Sequence, residues 1–426
     1  VNQYETEAMI DLFKEAGYQI VDFQNRADYY IINSCTVTNQ AASKSRKRAR
    51  RAKRRNPGAK VIMVGCYSQA FQDEVSEIKE VDYIIGSSGK KNIVELLEEK
   101  ENMDSKENFL REVTDFKNIR DYEDMQVKEI NQTTRANVKI EDGCNQFCSY
   151  CIIPYARGPV KSRKLNSVLT EVKKLVNNGI KEIVLTGTHL GNYGLDKNKP
   201  HLLSELVQKI SEISGDFRIR LSSIEVTEID EKLITLIKEN EKLCSHLHLP
   251  LQNGSNVILD SMNRPYTVED FADMVVKLRR EIPDIAITTD VIVGFPGESD
   301  KDFQRTYNFI KKINFSRLHV FPFSPRSGTP AAEMKPKIHS RIKKERSSQL
   351  IELNKKLMQN YQDKFLGKRR KVVIETSRDH ESKMLKGITD NYLQVLIDDN
   401  DKYKNELLEV ELLSSYNHEK AIAKIV

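Results

Sequence analysis

Apolar residues in the first stretch of the chain recur at helical spacing. In "ETEAMIDLFKEAG" Met9, Leu12, Phe13 and Ala16 fall on one face, and a glycine ends the run. Short apolar runs follow at "ADYYIIN", "AKVIMVG" and "VDYIIG", each bounded by polar or turn residues, and they predict buried strands. Helical patterns separate them, and "KNIVELLEEKEN" closes the series. This alternation predicts a parallel α/β domain over residues 1–105. The chain opens directly into its first helix, so the strand expected ahead of that helix is looked for upstream of Val1. Residues 106–132 are polar and weakly periodic and read as a linker between domains.

From residue 133 the rhythm returns six times. "RANVKI", "EIVLTG", "RIRLSS", "HLHLPL", "AITTDVIVGF" and "RLHVFPF" are the strands, alternating with amphipathic stretches such as "LNSVLTEVKKLVNNG" and "TVEDFADMVVKLRREI". Six βα units are two short of the usual eight, so residues 133–363 are expected to form a partial, open-sided (β/α)6 barrel. A long charged helix from Ser340 ends this domain. Residues 364–426 change to short strands with turns, the pattern of a small β-barrel of a type that often holds RNA.

Composition narrows the class. With 39% hydrophobic and 31% charged residues among 426, and no apolar run near membrane-spanning length, a soluble, cytoplasmic protein is expected. The net charge of +6 is a small difference between 68 basic and 62 acidic residues and decides little. Its distribution says more. "KSRKRARRAKRR" (44–55) contains no acid, and Lys44, Arg46, Arg50 and Arg51 are candidates to meet a polyanion such as RNA.

Six cysteines stand at 35, 66, 144, 148, 151 and 244. Clustered cysteines in a reducing compartment point to metal or catalysis. Cys244 stands alone and reads as a small buried hydrophobe. In "GCNQFCSYCIIP", Cys144, Cys148 and Cys151 sit just after the first barrel strand. Three thiolates leave one corner of a four-iron cluster open for a substrate or cofactor. The competing reading is a zinc knuckle with a fourth ligand from elsewhere. Cys35 and Cys66 each follow a parallel strand, and residues at such ends converge on one crevice.

These motifs are similar, in order and over essentially the whole chain, to those of the radical S-adenosylmethionine (radical SAM) methylthiotransferases. "NSCTVTNQA", "GCYSQ", "GCNQFCSYCIIPYARG", "LPLQNGSNVILDSMNRPYT", "TDVIVGFPGES" and "FPFSPRSGTPAAEM" carry the resemblance, and the last sixty residues resemble the TRAM RNA-binding module. It implies two [4Fe-4S] clusters and S-adenosylmethionine as cofactors. Cys144, Cys148 and Cys151 would hold the radical SAM cluster. Cys35 and Cys66 would hold an auxiliary one, whose third cysteine is expected two residues ahead of Val1; without it the auxiliary cluster is expected to assemble poorly. Thr186, Gly187, Thr188, Gln252, Ser255 and Gly294 become cofactor candidates and Arg264 a candidate contact for substrate or the auxiliary domain, with Glu225 and Asp290 weaker. His189, His246 and His248 read as barrel-lining or structural, and Phe147 and Tyr150 as an apolar screen.

"VNQYETEAM" resembles the branch acting on N6-threonylcarbamoyladenosine at position 37 of tRNA, beside the anticodon. The alternatives are isopentenyladenosine in tRNA, an aspartate of a small-subunit ribosomal protein, or, outside catalysis, a zinc-containing RNA-binding protein. The implied partners are the tRNA anticodon stem-loop and an electron donor such as flavodoxin or ferredoxin.

Overall fold

A computed structural model describes residues 1–102, 110–127, 134–198 and 202–426. Helix α1 (Asn2–Glu15) buries Tyr4, Ala8, Met9 and Phe13. Behind it stand β1 (Tyr29–Ser34), β2 (Lys60–Gly65), β3 (Tyr83–Ile85) and β4 (Leu110–Glu112), a parallel sheet in the order β1-β2-β3-β4. The basic run forms α2 (Asn39–Arg55), capped by Thr38, whose side chain accepts from Ala41 N. Its buried stripe is Ala42, Ser45, Ala49 and Ala52, so small residues seat it on the sheet.

The segment read as a linker does more than connect. Residues 110–112 are the edge strand of the first sheet. Further along, Met125 and Val127 are buried, with Met125 O accepting from Tyr4 Oη at 2.5 Å and Val127 N donating to Glu171 at 3.0 Å. A three-residue strand and two isolated apolar positions are too sparse to register as periodicity. The expected domain boundaries near 105 and 132 lie outside the described residues.

The central domain has its six parallel strands: β5 (Arg135–Lys139), β8 (Glu182–Thr186), β9 (Arg218–Leu221), β10 (His246–His248), β11 (Ala286–Val293) and β12 (Arg317–Pro322). They pair as β5-β8-β9 and β10-β11-β12, joined by parallel bridges Ile219↔Leu243 and Ser223↔His248. Between β5 and β8 lies an unforeseen antiparallel ribbon, β6 (Glu141–Asp142) with β7 (Lys161–Ser162). Val138, Ile183, Ile219, Leu247, Ile287 and Val291 pack outward under the helices. The alternate positions therefore face the lumen, and many of them are polar, among them Asn137, Glu182, Arg218, Arg220, Thr288 and Asp290. His246 and His248 both bond Thr288 Oγ1, at 3.1 and 2.9 Å, and His248 Nε2 lies 3.2 Å from Asp290. This matches their expected barrel-lining role.

The C-terminal strands β13 (Arg369–Arg378), β14 (Leu385–Thr389), β15 (Gln394–Ile397), β16 (Leu407–Ser415) and β17 (Lys420–Ile425) close into a barrel in the order β13-β14-β15-β17-β16. Two arginines of β9 fasten it to the central domain. Arg218 donates to Lys371 O at 3.1 Å and Ile388 O at 2.7 Å, and Arg220 to Thr389 O at 2.9 Å and Asp390 O at 3.2 Å. Glu182 pairs with both, and Tyr392 stacks on His246 at 4.1 Å. Among the described residues no helix is long and apolar enough to cross a membrane.

Candidate functional site

The loop carrying Cys144, Cys148 and Cys151 leaves β6 and returns at β7, so the ribbon closes its base. Gly143 sits there at φ +91, where a Cβ would collide with Pro159 O; only glycine fits. Cys144 N donates to Gly158 O at 3.1 Å. The tip is held by the turn at 261–263: Ser149 N and Oγ donate to Met262 O and Ser261 O at 3.0 and 2.8 Å, and Asn263 Nδ2 to Phe147 O at 3.2 Å.

Each sulfur receives N–H groups. Gln146 N points at Cys144 Sγ and Ile153 N at Cys151 Sγ, both at 3.4 Å. Arg264 Nη1 donates to Cys148 Sγ at 3.2 Å, and His189 Nδ1 lies 3.2 Å from Cys144 Sγ. Burial pushes the Cys148 thiol up and that of Cys151 up to about 12, so both are protonated at neutral pH until a cation displaces the proton. Among the described residues, no three Cys, His, Asp or Glu side chains converge on one point as ligands of a single metal ion. Three cysteine thiols on one short loop are a donor set that fits iron–sulfur ligation.

Arg264, expected to touch substrate or the auxiliary domain, has a side chain 3% exposed, paired with Glu225 and lying over the Tyr266 ring at 4.9 Å. His189, expected to be barrel-lining or structural, has polar neighbours on both ring nitrogens, with Asn192 Nδ2 3.1 Å from its Nδ1. Its Nε2 is 2.5 Å from Glu228 Oε1. Burial opposes its charge, but Cys144 and Glu228 outweigh that and push it up to about 11. Tyr150 packs with Ile258, Met262, Phe295 and Phe323, as an apolar screen should, whereas Phe147 is 45% exposed with its ring against Tyr155.

The cofactor candidates divide. Thr186, Gly187 and Thr188 lie against the base of the cysteine loop. Ile140 N donates to Thr186 O at 2.9 Å and Thr188 Oγ1 to Gly143 O at 2.9 Å. A Cβ on Gly187 would stand 2.6 Å from a carboxylate oxygen of Glu141. That carboxyl accepts from His189 N at 2.7 Å, yet burial pushes it up to about 8. Gln252 holds a left-handed conformation, φ +63, between β11 backbone groups: its N donates to Asp290 O at 2.9 Å and its O accepts from Ile292 N at 2.7 Å. Ser255 and Gly294 have other employment. Ser255 is buried, with Oγ donating to Asp302 at 2.8 Å. At Gly294 the space a Cβ would fill is taken by the Lys343 side chain, and the amide donates to Glu298 at 2.6 Å.

Cys35 and Cys66 follow paired positions, Ser34↔Gly65, and so lie side by side at the carboxyl edge of the first sheet. Cys66 opens α3 (Cys66–Ala70) and is buried. Burial raises its thiol, while nearby Arg157 opposes the rise. Arg157 belongs to the short helix Ile153–Arg157 directly after the three-cysteine loop. Its guanidinium donates to Glu5 at 2.9 Å, Asp142 at 2.7 Å and Asn2 at 2.7 Å. Glu5, fully buried, also pairs with Lys90 and Lys139, each at 2.8 Å. From the other side Arg326 bonds Thr36 and Asn39 and lies over the Phe71 ring at 4.7 Å. Arg157, from the helix that follows the three-cysteine loop, thus ties that loop's domain to the one carrying Cys35 and Cys66 through buried ion pairs. Sequence reading missed Arg157, Glu5 and Glu141, because nothing local distinguishes them from surface charges.

On α2, Lys44, Arg50 and Arg51 are exposed. Arg46 departs from the expectation that it meets a polyanion: it donates to Tyr67 Oη at 2.5 Å and Glu74 at 2.9 Å within its own domain. Cys244 is buried, as expected.

Comparison with known proteins places this geometry among relatives. Residues 138–310 match the family model described as "Radical SAM superfamily", and residues 1–86 match "Uncharacterized protein family UPF0004". The chain is 41% identical to threonylcarbamoyladenosine tRNA methylthiotransferase MtaB of Bacillus subtilis (strain 168), over 97% of this chain and 92% of that one. It is 36% identical to tRNA-2-methylthio-N(6)-dimethylallyladenosine synthase of Thermoanaerobacter pseudethanolicus, over 90% and 82%. Among solved structures it resembles the radical S-adenosylmethionine methyltransferase TsrM of Kitasatospora setae, with a TM-score of 0.60 and 15% identity over 77% of this chain and 74% of that one. At that identity the likeness is one of fold.

Proposed function

The chain belongs to the radical SAM tRNA methylthiotransferases, and from that premise we propose that it methylthiolates C2 of N6-threonylcarbamoyladenosine at position 37 of tRNA. The observation that carries this reading is kinship that runs the length of the chain, together with the buried ion pairs by which Arg157, just after the three-cysteine loop, is tied to the domain carrying Cys35 and Cys66.

Adenine C2 has neither useful acidity nor a leaving group, so replacing its hydrogen by sulfur calls for radical chemistry. Cys144, Cys148 and Cys151 would hold the cluster that, together with S-adenosylmethionine, would supply that chemistry when bound. The chain's own residues hold and shield. The ribbon and the 261–263 turn fix the cysteine loop, and Tyr150 with its apolar neighbours excludes water from one side. Thr186, Gly187, Thr188 and Gln252 border the place where the cofactor binds. Cys35 and Cys66 would be two ligands of an auxiliary cluster, which would supply the sulfur, and the Arg157–Glu5 latch holds their domain against the barrel. The charged outer face of α2 and the terminal barrel grip the anticodon arm, chiefly through phosphates. An unstacked loop base is the target, because stacking hides its edge. A flavodoxin- or ferredoxin-type protein delivers the electrons.

The test is mass spectrometry of nucleosides from tRNA treated with full-length protein, S-adenosylmethionine and a strong reductant. A methylthio gain on threonylcarbamoyladenosine is expected, and none with Cys148→Ala. A gain only on dimethylallyladenosine moves the enzyme to the sister branch. No gain on any nucleoside, from iron-loaded protein, overturns tRNA as the substrate.

A further inference from the structure

Phe147 lies in the three-cysteine loop, between Cys144 and Cys148, and is 45% exposed. Its backbone is left-handed, at φ +49. A bulky side chain rarely adopts that conformation, because its Cβ crowds the backbone carbonyl. The turn at 261–263 enforces it from outside the loop. Asn263 Nδ2 donates to Gln146 O at 3.3 Å and to Phe147 O at 3.2 Å, and Gln146 Nε2 donates back to Asn263 O at 3.2 Å. Glycine or asparagine would make the same turn at less cost. Strain kept at a site points to a use for the side chain that bears it.

The ring is not folded into a core. It meets Tyr155 edge to face, centroids 5.7 Å apart, and Tyr155 meets Phe116 in the same manner at 5.5 Å. Tyr155 belongs to the helix Ile153–Arg157 and Phe116 to the single turn Phe116–Asn118. Three rings from three segments thus form a row that begins at the cysteine loop. At its far end an exposed cation, Lys117, lies 5.9 Å from the centroid of the Phe116 ring. Aromatic faces beside a cation are what single-stranded nucleic acid uses, its bases stacking while its phosphates meet the charge.

We propose that Phe147 is a stacking platform for an unpaired base of the anticodon loop, holding the RNA beside the cysteine loop while the target base enters. The inference rests on tRNA being the substrate and names a residue that positions it. Stacking suits any base, since each has a π face, so Phe147 places the RNA without choosing between modified adenosines. It takes no part in bond making.

Full-length protein is reconstituted anaerobically with iron and sulfide, and binding of a fluorescein-labelled anticodon stem-loop is read by anisotropy. Phe147→Asn and Phe147→Gly, which suit the left-handed turn, are each expected to keep the iron and to raise the Kd for RNA about tenfold. Phe147→Tyr is expected to bind like the parent. An abasic nucleotide is then placed in turn at position 37 and at each of its neighbours. At one of these it is expected to cost the parent about tenfold and Phe147→Asn nothing further. A residue that only shapes the loop gives no such coupling. Unchanged affinity in Phe147→Asn overturns the platform, and slower reduction by a flavodoxin in that variant would assign the ring to the electron donor. Additive losses at all three positions also overturn it. So does loss of iron in both variants, which would make the ring part of loop folding. A parent protein that binds no stem-loop overturns the tRNA reading itself, and the platform with it.

Discussion

Ser255 follows a strand, precedes a helix and sits in a family signature, so by sequence it qualifies as a cofactor contact. In the structure its hydroxyl is committed to Asp302, one member of a buried set in which Asn253 Oδ1 also accepts from Ser255 N and Thr306 Oγ1. Removing the hydroxyl leaves a buried carboxylate oxygen short of a donor, a loss of roughly 1–3 kcal/mol. Ser255→Ala is therefore expected to lower the melting temperature and leave the KM for S-adenosylmethionine within about twofold of the parent, near the noise expected of a residue that makes no ligand contact. A calorimetric scan alongside steady-state assays checks both. A rise in KM without a change in melting would restore the sequence-based reading.

At the scale of an element, α2 combines two jobs that its sequence runs together. A stripe of alanines faces the sheet, while two cations seven residues apart turn to partners in their own domain: Arg46 to Tyr67 and Glu74, Lys53 to Asp82. Lys44 and Arg51 are exposed. Charge reversal at Lys44 and Arg51 is expected to weaken tRNA binding and to reduce the salt dependence of log K by about one for each phosphate left without its cation. Arg46→Ala is expected to act instead through stability, lowering the melting temperature of the N-terminal domain with little change in salt slope. Binding measured from about 50 to 200 mM salt, where phosphate-driven affinity falls steeply, separates the two.

Across the whole molecule, buried charge joins the domains. Glu5, Lys90, Lys139, Asp142 and Arg157 lock the first sheet to the barrel, and Glu182 with Arg218 and Arg220 locks the barrel to the terminal module. Burial alone would raise the Glu182 carboxyl, but Arg220 and Arg218 hold it well below the usual carboxylate range. Its folded pKa lies below its unfolded one, so its contribution is complete above the unfolded value of about 4.3 and is lost as pH falls further. The grip on the terminal barrel is expected to weaken on acidification below about pH 4, as is the Glu5–Asp142 latch, whose carboxyls are depressed in the same way. Glu182→Gln, which leaves two buried arginines without their anion, should loosen the terminal barrel alone at neutral pH, at a cost of about 3–5 kcal/mol. Limited proteolysis at neutral pH, scored for release of a C-terminal fragment from the variant and not from the parent, checks this; an unchanged pattern would refute it.

The alternation of apolar runs was enough to read the parallel first sheet, six barrel strands and the closing β-barrel, because each of those elements buries a continuous face and must repeat at its own period. Cysteine spacing at 144, 148 and 151 likewise declared its chemistry, since three thiolates so close together have few other uses. What tertiary structure decided was the company those elements keep. Arg157 and Glu5 are 152 residues apart in the chain, and His189 meets Cys144 across 45. Arg264 reaches Cys148 across 116. A charged residue looks the same in sequence whether it faces water or a buried partner, because the ion pair that makes burial tolerable comes from another element. The edge strand at 110–112 is too short to carry a period, and only its pairing with β3 makes it one.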